Sequence, residues 1–107
     1  MNNTLNTFND MGLNPMILQA LAELNFEEPT PIQSKTIPHL ISSEKDLIAL
    51  AQTGTGKTAA YSLPMVQRLA DDTDTVQALI LCPTRELAIQ VSNDIEKYMK
   101  YMHGAKV

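Results

Sequence analysis

The fold prediction depends on one stretch, Ala51-Gln52-Thr53-Gly54-Thr55-Gly56-Lys57-Thr58. Two glycines followed by lysine and a hydroxyl residue match the phosphate-binding loop, except that its strict form begins with glycine where Ala51 stands. The glycines remove side chains that would block the approach of phosphate oxygens, and successive backbone amides then form an anion-binding nest. The pattern predicts a phosphate site in which Lys57 reaches the β- and γ-phosphates and the Thr58 hydroxyl ligates Mg²⁺.

The flanks of this loop predict an α/β fold. Segment 47–51 is a continuous apolar run of strand length, and segment 76–82 is a second predicted strand that contains the apolar run 78–82. Continuous apolar character favours strands that are covered on both faces. A helical pattern runs from Lys57 to about Leu69, with Pro64 inside it, and a second one from Thr84 to about Met102. The predicted buried side of the second helix comprises Leu87, Ile89, Val91, Ile95 and Met99. Strand–helix–strand order predicts a parallel pair of strands with a right-handed crossover, in a three-layer domain.

Two helices are predicted before the first strand. Asn14-Pro15 and Thr30-Pro31 each combine a capping side chain with proline at the first helical position. The first helix has an apolar stripe at helical spacing, and Asn25 stands where a C-terminal cap would end it.

The stretch Phe26-Glu27-Glu28-Pro29-Thr30-Pro31-Ile32-Gln33 has two compatible interpretations. Thr30 and Gln33 have the spacing of a capping box, in which each side chain binds the other residue's backbone. A glutamine amide can also pair bidentately with the exocyclic amine and ring nitrogen of adenine, and Phe26 could stack on such a base.

A third block, Pro83-Thr84-Arg85-Glu86-Leu87-Ala88, directly follows the second predicted strand. The carboxyl edge of an α/β sheet is where ligands bind. A hydroxyl and an arginine at a helix N-terminus suit contact with a nucleic-acid backbone. The alternative is an ordinary turn in which Thr84 caps the helix and Arg85 is solvated.

Bulk properties narrow the range of functions. The 107 residues allow one small domain. The net charge of −4 argues against nucleic-acid binding by a positively charged surface that extends over the whole domain. Cys82 is the only cysteine, so neither an internal disulfide nor a cysteine-based metal site is possible. The chain shows no signal-peptide pattern and no apolar run long enough to cross a membrane. We expect a soluble, cytoplasmic protein without a membrane partner.

Taken together, the three blocks resemble the DEAD-box family of ATP-dependent RNA helicases over about residues 8–107. The family usually has glycine where this chain has Asn25, a mild departure because asparagine tolerates the left-handed conformation. The resemblance implies a truncated RecA-like domain with a parallel sheet, the cofactors ATP and Mg²⁺, and sequence-independent contact with an RNA backbone. In the whole protein it implies that two such domains close on ATP and RNA and pry short duplexes apart, and that hydrolysis then releases the RNA.

The resemblance also assigns site residues. Nucleotide binding falls on Phe26, Thr30, Gln33, Gln52, Thr53, Gly54, Thr55, Gly56, Lys57 and Thr58. Among these, Lys57 and Thr58 have catalytic roles, and Thr58 ligates Mg²⁺ through the nucleotide. RNA contact falls on Pro83, Thr84 and Arg85.

The acidic Asp-Glu-Ala-Asp motif of the family does not occur in this sequence. The cluster Asp71-Asp72-Thr73-Asp74 follows a helix and is interpreted as a solvated loop. We therefore expect a fragment, with a glutamine-motif helical region at 1–45 and a strand–loop–helix–strand–helix part at 46–107, that does not hydrolyse ATP by itself. An incomplete sheet would leave an edge prone to self-association. Two alternatives remain: another kind of P-loop enzyme, or a binding module without turnover.

Overall fold

The computed structural model describes residues 7–51, 56–69 and 75–107. Four α-helices account for the regular structure of these ranges, together with a 3₁₀ turn at Phe8–Asp10. The helices are α1 (Pro15–Glu23), α2 (Pro31–Ser42), α3 (Lys57–Gln67) and α4 (Arg85–Tyr98).

Helices α1 and α2 begin where the sequence predicts. Asn14 Oδ1 accepts a hydrogen bond from the backbone N–H of Ile17 at 2.9 Å, and Pro15 occupies the first helical position. Thr30 and Pro31 have the same roles in α2. Proline suits this position because its missing N–H would have no partner within the helix.

Helices α3 and α4 also agree with the sequence prediction at their first residues. Gly56 precedes α3 and Thr84 caps α4, where its hydroxyl accepts from the N–H of Leu87 at 3.1 Å.

The buried side of α4 differs from the prediction in part. Leu87 is 37% exposed and Ile89 51% exposed, whereas Tyr98 is buried. The buried residues of α4 follow the i, i+4, i+7 spacing that Val91, Ile95 and Tyr98 define.

The core lies between the four helices. Helix α2 packs on α3, α3 packs on α4, and α4 packs on α1. The most deeply buried side chains are Ile17, Leu21, Ile37, Ser62, Leu63, Val66 and Ile95. Burial of each large apolar side chain contributes roughly 1.5–3 kcal/mol before entropy is subtracted. These contacts hold the starts of α2 and α3 in a fixed relation.

The predicted parallel sheet is absent from the described residues, so the prediction of a three-layer α/β domain is wrong for this part of the chain. Segments 47–51 and 76–82 run as irregular backbone. Ile48 and Leu50 are each 90% exposed, and Leu79 and Leu81 are 79% and 84% exposed. A strand is defined by a hydrogen-bonded neighbour, and apolar content alone cannot supply one.

Segment 76–82 nevertheless has an inner face. Ile80 and Cys82 are partly buried against the helical core, while Leu79 and Leu81 point away from it. The apolar sequence of this segment predicts cover on both faces. The structure covers one face only, since the helices bury their apolar stripes mainly against one another.

Two polar contacts fix the periphery of the helical core. Gln67 on α3 accepts from the N–H of Asn14 at 2.9 Å and donates to the carbonyl of Gly12 at 3.2 Å. This clamp holds the segment that follows the buried residue Phe8. On the other side, Glu23 at the end of α1 accepts from the Lys100 ammonium at 2.7 Å and from the Tyr101 hydroxyl. The hydrogen bond from Lys100 is the main reason that the pKa of Glu23 lies below its ordinary value.

Within 7–51, 56–69 and 75–107, none of the helices has the length and apolar character needed to cross a membrane.

Candidate nucleotide-binding site

The end of α1 determines where Phe26 lies. Asn25 adopts the left-handed conformation, with φ of 63°. Its N–H donates to the carbonyl of Ala22 at 3.1 Å, and the N–H of Phe26 donates to that of Leu21 at 3.0 Å. These two bonds form a Schellman motif, the usual helix end that a left-handed residue produces. Asparagine meets this requirement, so the departure from glycine at position 25 does not change the local backbone.

The Phe26 ring lies between two other aromatic rings. Its centroid is 5.9 Å from that of Phe8, with an interplanar angle of 45°. It is also 5.9 Å from that of Tyr98, in an edge-to-face arrangement at 70°. Both distances fall within the range in which aromatic pairs attract. Phe26 remains partly exposed, so part of its surface is still accessible.

Gln33 forms the predicted capping box with Thr30. The Gln33 N–H donates to Thr30 Oγ1 at 3.4 Å, and Gln33 Oε1 accepts from the N–H of Thr30 at 2.9 Å. The side chain is 3% exposed. Both hydrogen bonds of a capping box are therefore formed, which confirms that this stretch starts a helix.

The same glutamine side chain also binds the end of the phosphate-loop sequence. Gln33 Nε2 donates to the carbonyl of Gly56 at 3.2 Å. That carbonyl also accepts from the N–H of Ala60 at 3.1 Å, as part of the first turn of α3. One amide thus connects the start of α2 with the start of α3, across 23 positions of sequence.

Gly56 is required at its position for two reasons. Its φ of 83° lies in the left-handed region, where side chains are strained. A Cβ at this position would also collide with Gln33 Nε2, and it would lie 3.2 Å from Thr30 Oγ1. The close approach of this loop residue to the capping box therefore depends on glycine.

The capping role does not use all the hydrogen-bonding groups of the Gln33 amide. A side-chain amide has two N–H donors and two acceptor lone pairs. The capping box uses one lone pair of Oε1, and Gly56 uses one N–H of Nε2. Among the contacts that the structure describes, one N–H and one lone pair of this amide are left over, and these are the two groups that adenine requires at its ring nitrogen and exocyclic amine. By hydrogen-bond count, the capping box does not exclude the predicted pairing with a base.

An open cleft of about 440 Å³ lies at this junction. Its lining consists of Asn25, Phe26, Glu27, Glu28, Thr30, Gln33 and Gly56. Its volume is within the range of small-molecule sites. A larger groove of about 570 Å³ lies between α3, α4 and segment 75–82, but its lining includes none of the predicted nucleotide residues.

Lys57 and Thr58 occupy the first turn of α3, directly after Gly56. Lys57 is exposed and Thr58 partly buried. The Thr58 carbonyl accepts from the hydroxyl of Ser62 at 2.5 Å. Tyr61 lies one turn further on; burial raises its pKa, while a hydrogen bond with the Thr58 side chain acts in the opposite direction. Lys57 and Thr58 therefore directly follow Gly56, which lines the cleft, but neither residue lines it.

The predicted RNA-contact residues lie at the start of α4. Pro83, Thr84 and Arg85 are all exposed. The Thr84 hydroxyl accepts from the N–H of Leu87, so its capping role is present. Gln52, Thr53, Gly54 and Thr55 lie outside the described residues. In the described part of the chain, no group of three or more histidine, cysteine, aspartate or glutamate residues could hold a metal ion.

Sequence reasoning did not identify Tyr98 as a neighbour of this site. The signal was present, because Tyr98 follows Val91 by seven residues and Ile95 by three, the spacing of one helix face. Contact between Tyr98 and Phe26 joins residues 72 positions apart in sequence, counted from their numbers. No local pattern predicts a contact at that separation.

Comparison with known proteins identifies the family. The DEAD/DEAH box helicase profile matches residues 30–107, and the chain therefore belongs to this family. It is 48% identical over 101 residues to the ATP-dependent RNA helicase DeaD of Escherichia coli, covering 94% of this chain and 16% of DeaD. It is 46% identical over 97 residues to the DEAD-box ATP-dependent RNA helicase CshA of Bacillus cereus, covering 91% of this chain and 18% of CshA.

Solved structures show the same relationship. A DEAD box protein from Methanococcus jannaschii is similar with a TM-score of 0.84 and 40% identity, over 98% of this chain and 28% of that one. Saccharomyces cerevisiae Dbp5 bound to RNA and ADP BeF3 is similar with a TM-score of 0.87 and 35% identity, over 92% of this chain and 25% of Dbp5. The chain thus spans between 16% and 28% of the length of these relatives.

The Gln33 side chain has a double role in the fold, because it hydrogen-bonds both Thr30 and Gly56. Its loss should therefore lower the stability of the chain more than the loss of a neighbouring side chain. Gln33→Ala removes both hydrogen bonds and should lower the free energy of unfolding by about 1–3 kcal/mol in urea denaturation. Ser34→Ala, at the next position of the same helix, is the matched control and should change it by less than about 0.5 kcal/mol. Equal effects of the two substitutions would contradict the double role.

Gln33→Glu separates the two hydrogen bonds. At pH 7 its carboxylate can still accept from Thr30 but faces the Gly56 carbonyl without a proton to donate. The protonated acid can donate, so the folded state raises the pKa of this carboxyl. Its stabilising contribution is present at acid pH and is lost as pH rises through the raised value. The deficit relative to the native sequence should be smaller at pH 4 than at pH 7.

Proposed function

We propose that this chain carries the adenine-nucleotide-binding part of an ATP-dependent RNA helicase, within the first helicase domain. The observation that carries the proposal is the Gln33 amide, which lines the cleft with Phe26 and Thr30 and, among the described residues, has one donor and one acceptor beyond its two hydrogen bonds. Membership of the DEAD/DEAH box helicase family supports it, as do the names of the relatives DeaD and CshA. In the proposed complex Gln33 pairs with adenine and Phe26 contacts the base.

The phosphates are assigned to the start of α3. A helix N-terminus favours anions because its first N–H groups lack partners within the helix and its dipole is positive there. Lys57 adds a cation on that turn, and the Thr58 hydroxyl is a suitable ligand for a Mg²⁺ ion carried by the phosphates. Gly56 connects this turn to the base-binding amide. Mg²⁺ would neutralise phosphate charge, while Lys57 and Thr58 hold the triphosphate in place.

RNA contact is assigned to the start of α4. The exposed residues Pro83, Thr84 and Arg85 surround the N-terminus of a helix of 14 residues. Backbone amides, a hydroxyl and a guanidinium there can bind phosphate oxygens without reading bases. Dbp5, a structural relative, has been solved with RNA and ADP BeF3, which supports an RNA partner for this chain.

Turnover is assigned to the whole helicase. Residues 1–107 contain no Asp-Glu-Ala-Asp motif. Strand-end carboxylates of this kind orient Mg²⁺ and the attacking water in phosphoryl transfer. We therefore expect the chain to bind nucleotide without hydrolysing it, and duplex unwinding to belong to the longer protein.

Nucleotide binding is tested by titration of the chain with a fluorescent ADP analogue and Mg²⁺, with ATP and GTP as competitors. Saturable binding should favour adenine. Lys57→Ala should weaken it at least tenfold, because a charge-assisted contact to phosphate is lost, whereas Lys106→Ala should leave it unchanged. Gln33→Ala should reduce the preference for ATP over GTP. Binding that is indifferent to both Lys57 and Gln33 would contradict the proposal.

Self-association is proposed for the exposed apolar segments. Ile48, Leu50, Leu79 and Leu81 are all more than three-quarters exposed, and apolar surface of this extent favours contact between molecules. Sedimentation equilibrium should show dimers or larger species at micromolar concentrations. The double substitution of Leu79 and Leu81 by lysine should shift the chain toward monomer, and Met16→Lys on α1 should not. A native chain that is monomeric throughout this range would contradict the idea.

A further inference from the structure

Tyr98 connects the candidate base-binding cleft to α4. It is the last residue of α4 and is 5% exposed. Its ring meets Phe26 edge to face, with centroids 5.9 Å apart. Phe26 belongs to the cleft, whereas Tyr98 does not line it. The contact is therefore made behind the cleft, on the side of Phe26 that faces the core.

The ring of Tyr98 is the part of the side chain that can act on Phe26. Burial, followed by the nearby Asp94 carboxylate, raises the pKa of Tyr98 to about 12, so the hydroxyl is uncharged at physiological pH. No titration of this group accompanies nucleotide binding near neutrality. The interaction with Phe26 is a contact between two rings, which phenylalanine at position 98 would reproduce.

Phe26 needs such support to keep a fixed orientation. It follows the left-handed residue Asn25 at the end of α1, and it is not part of a helix. Its backbone is held by the hydrogen bond to Leu21, but that bond does not fix its side-chain torsions. The rings of Phe8 and Tyr98 restrict those torsions from two directions. Phe8 lies in the segment that Gln67 clamps, while Tyr98 is fixed by a helix of the core.

We propose that Tyr98 is a positioning residue for base recognition: its edge-to-face contact holds Phe26 in the orientation that receives adenine. This inference rests on the proposed function of the cleft. When a side chain samples several orientations, the apparent affinity equals the intrinsic affinity multiplied by the fraction of molecules in the binding-competent orientation. Aromatic pairs of this geometry account for about a two- to tenfold change in such an equilibrium.

A positioning role of Tyr98 predicts that loss of its ring lowers the affinity for one ligand and not for another. Removal of the ring at position 98 weakens binding of Mg-ADP by about two- to tenfold, because the base contact is affected. It leaves the affinity for Mg-pyrophosphate unchanged, because phosphate contacts fall on residues 56–58. A general loss of stability would instead weaken both ligands together.

The test uses the chain with four sequences: native, Tyr98→Leu, Tyr98→Phe and Val91→Ala. Leucine keeps an apolar side chain in the buried position but removes the ring, and phenylalanine restores it. Val91→Ala removes packing on the same buried face of α4, two turns earlier. Calorimetric titration with Mg-ADP and with Mg-pyrophosphate gives both affinities, and NMR of the Phe26 side chain without ligand reports its rotamer distribution.

The expected result is weaker Mg-ADP binding and a broader Phe26 rotamer distribution in Tyr98→Leu only. Native-like values in Tyr98→Phe support the ring contact. If the native chain binds Mg-ADP and Tyr98→Leu binds it equally well, the positioning role is overturned and the proposed function stands. If the native chain binds no Mg-ADP, the proposed function fails and the inference fails with it.

Discussion

The side-chain amide of Gln33 is the interaction on which the rest of the site depends. It accepts from the N–H of Thr30 and donates to the carbonyl of Gly56, in a position that is nearly closed to solvent. A buried amide with only one partner would be costly, since an unsatisfied polar group loses its hydration without compensation. The start of α2 and the start of α3 therefore stabilise each other. The cleft forms at that junction because the two helix starts are held side by side.

The packing of the helices places the residues proposed to bind the base next to those proposed to bind the phosphates. Helix α2 packs on α3, and this contact sets the separation of Gln33 from the first turn of α3. Phe26 reaches the same place from α1 through a left-handed residue and is supported from α4 by Tyr98. Residues at the end of α1 and at the starts of α2 and α3 line the cleft, and α4 contacts it only through the ring of Tyr98 against Phe26.

Local signals in the sequence predicted the helices well and the sheet badly. Asn14, Thr30 and Thr84 each cap a helix at the predicted position, because capping depends only on neighbouring residues. The strands failed because a strand requires a partner that no local pattern can supply. Segments 47–51 and 76–82 have the composition of strands, but in the described residues their outer side chains remain exposed.

The link from Gln33 to Gly56 and the contact between Tyr98 and Phe26 are long-range contacts that local patterns do not predict either. Both are set by how helices pack and not by sequence spacing.

The most direct test of the account is NMR of the ¹⁵N-labelled chain during titration with Mg-ADP. We expect the resonances of the Gln33 side-chain amide and of the Gly56 and Thr58 backbone amides to shift together and to saturate at one ligand concentration. Such behaviour would mean that one cleft receives base and phosphates through the amide that joins α2 to α3. Shifts confined to the start of α3, with the Gln33 side chain unchanged, would contradict it, because phosphate would then bind without recognition of the base by Gln33.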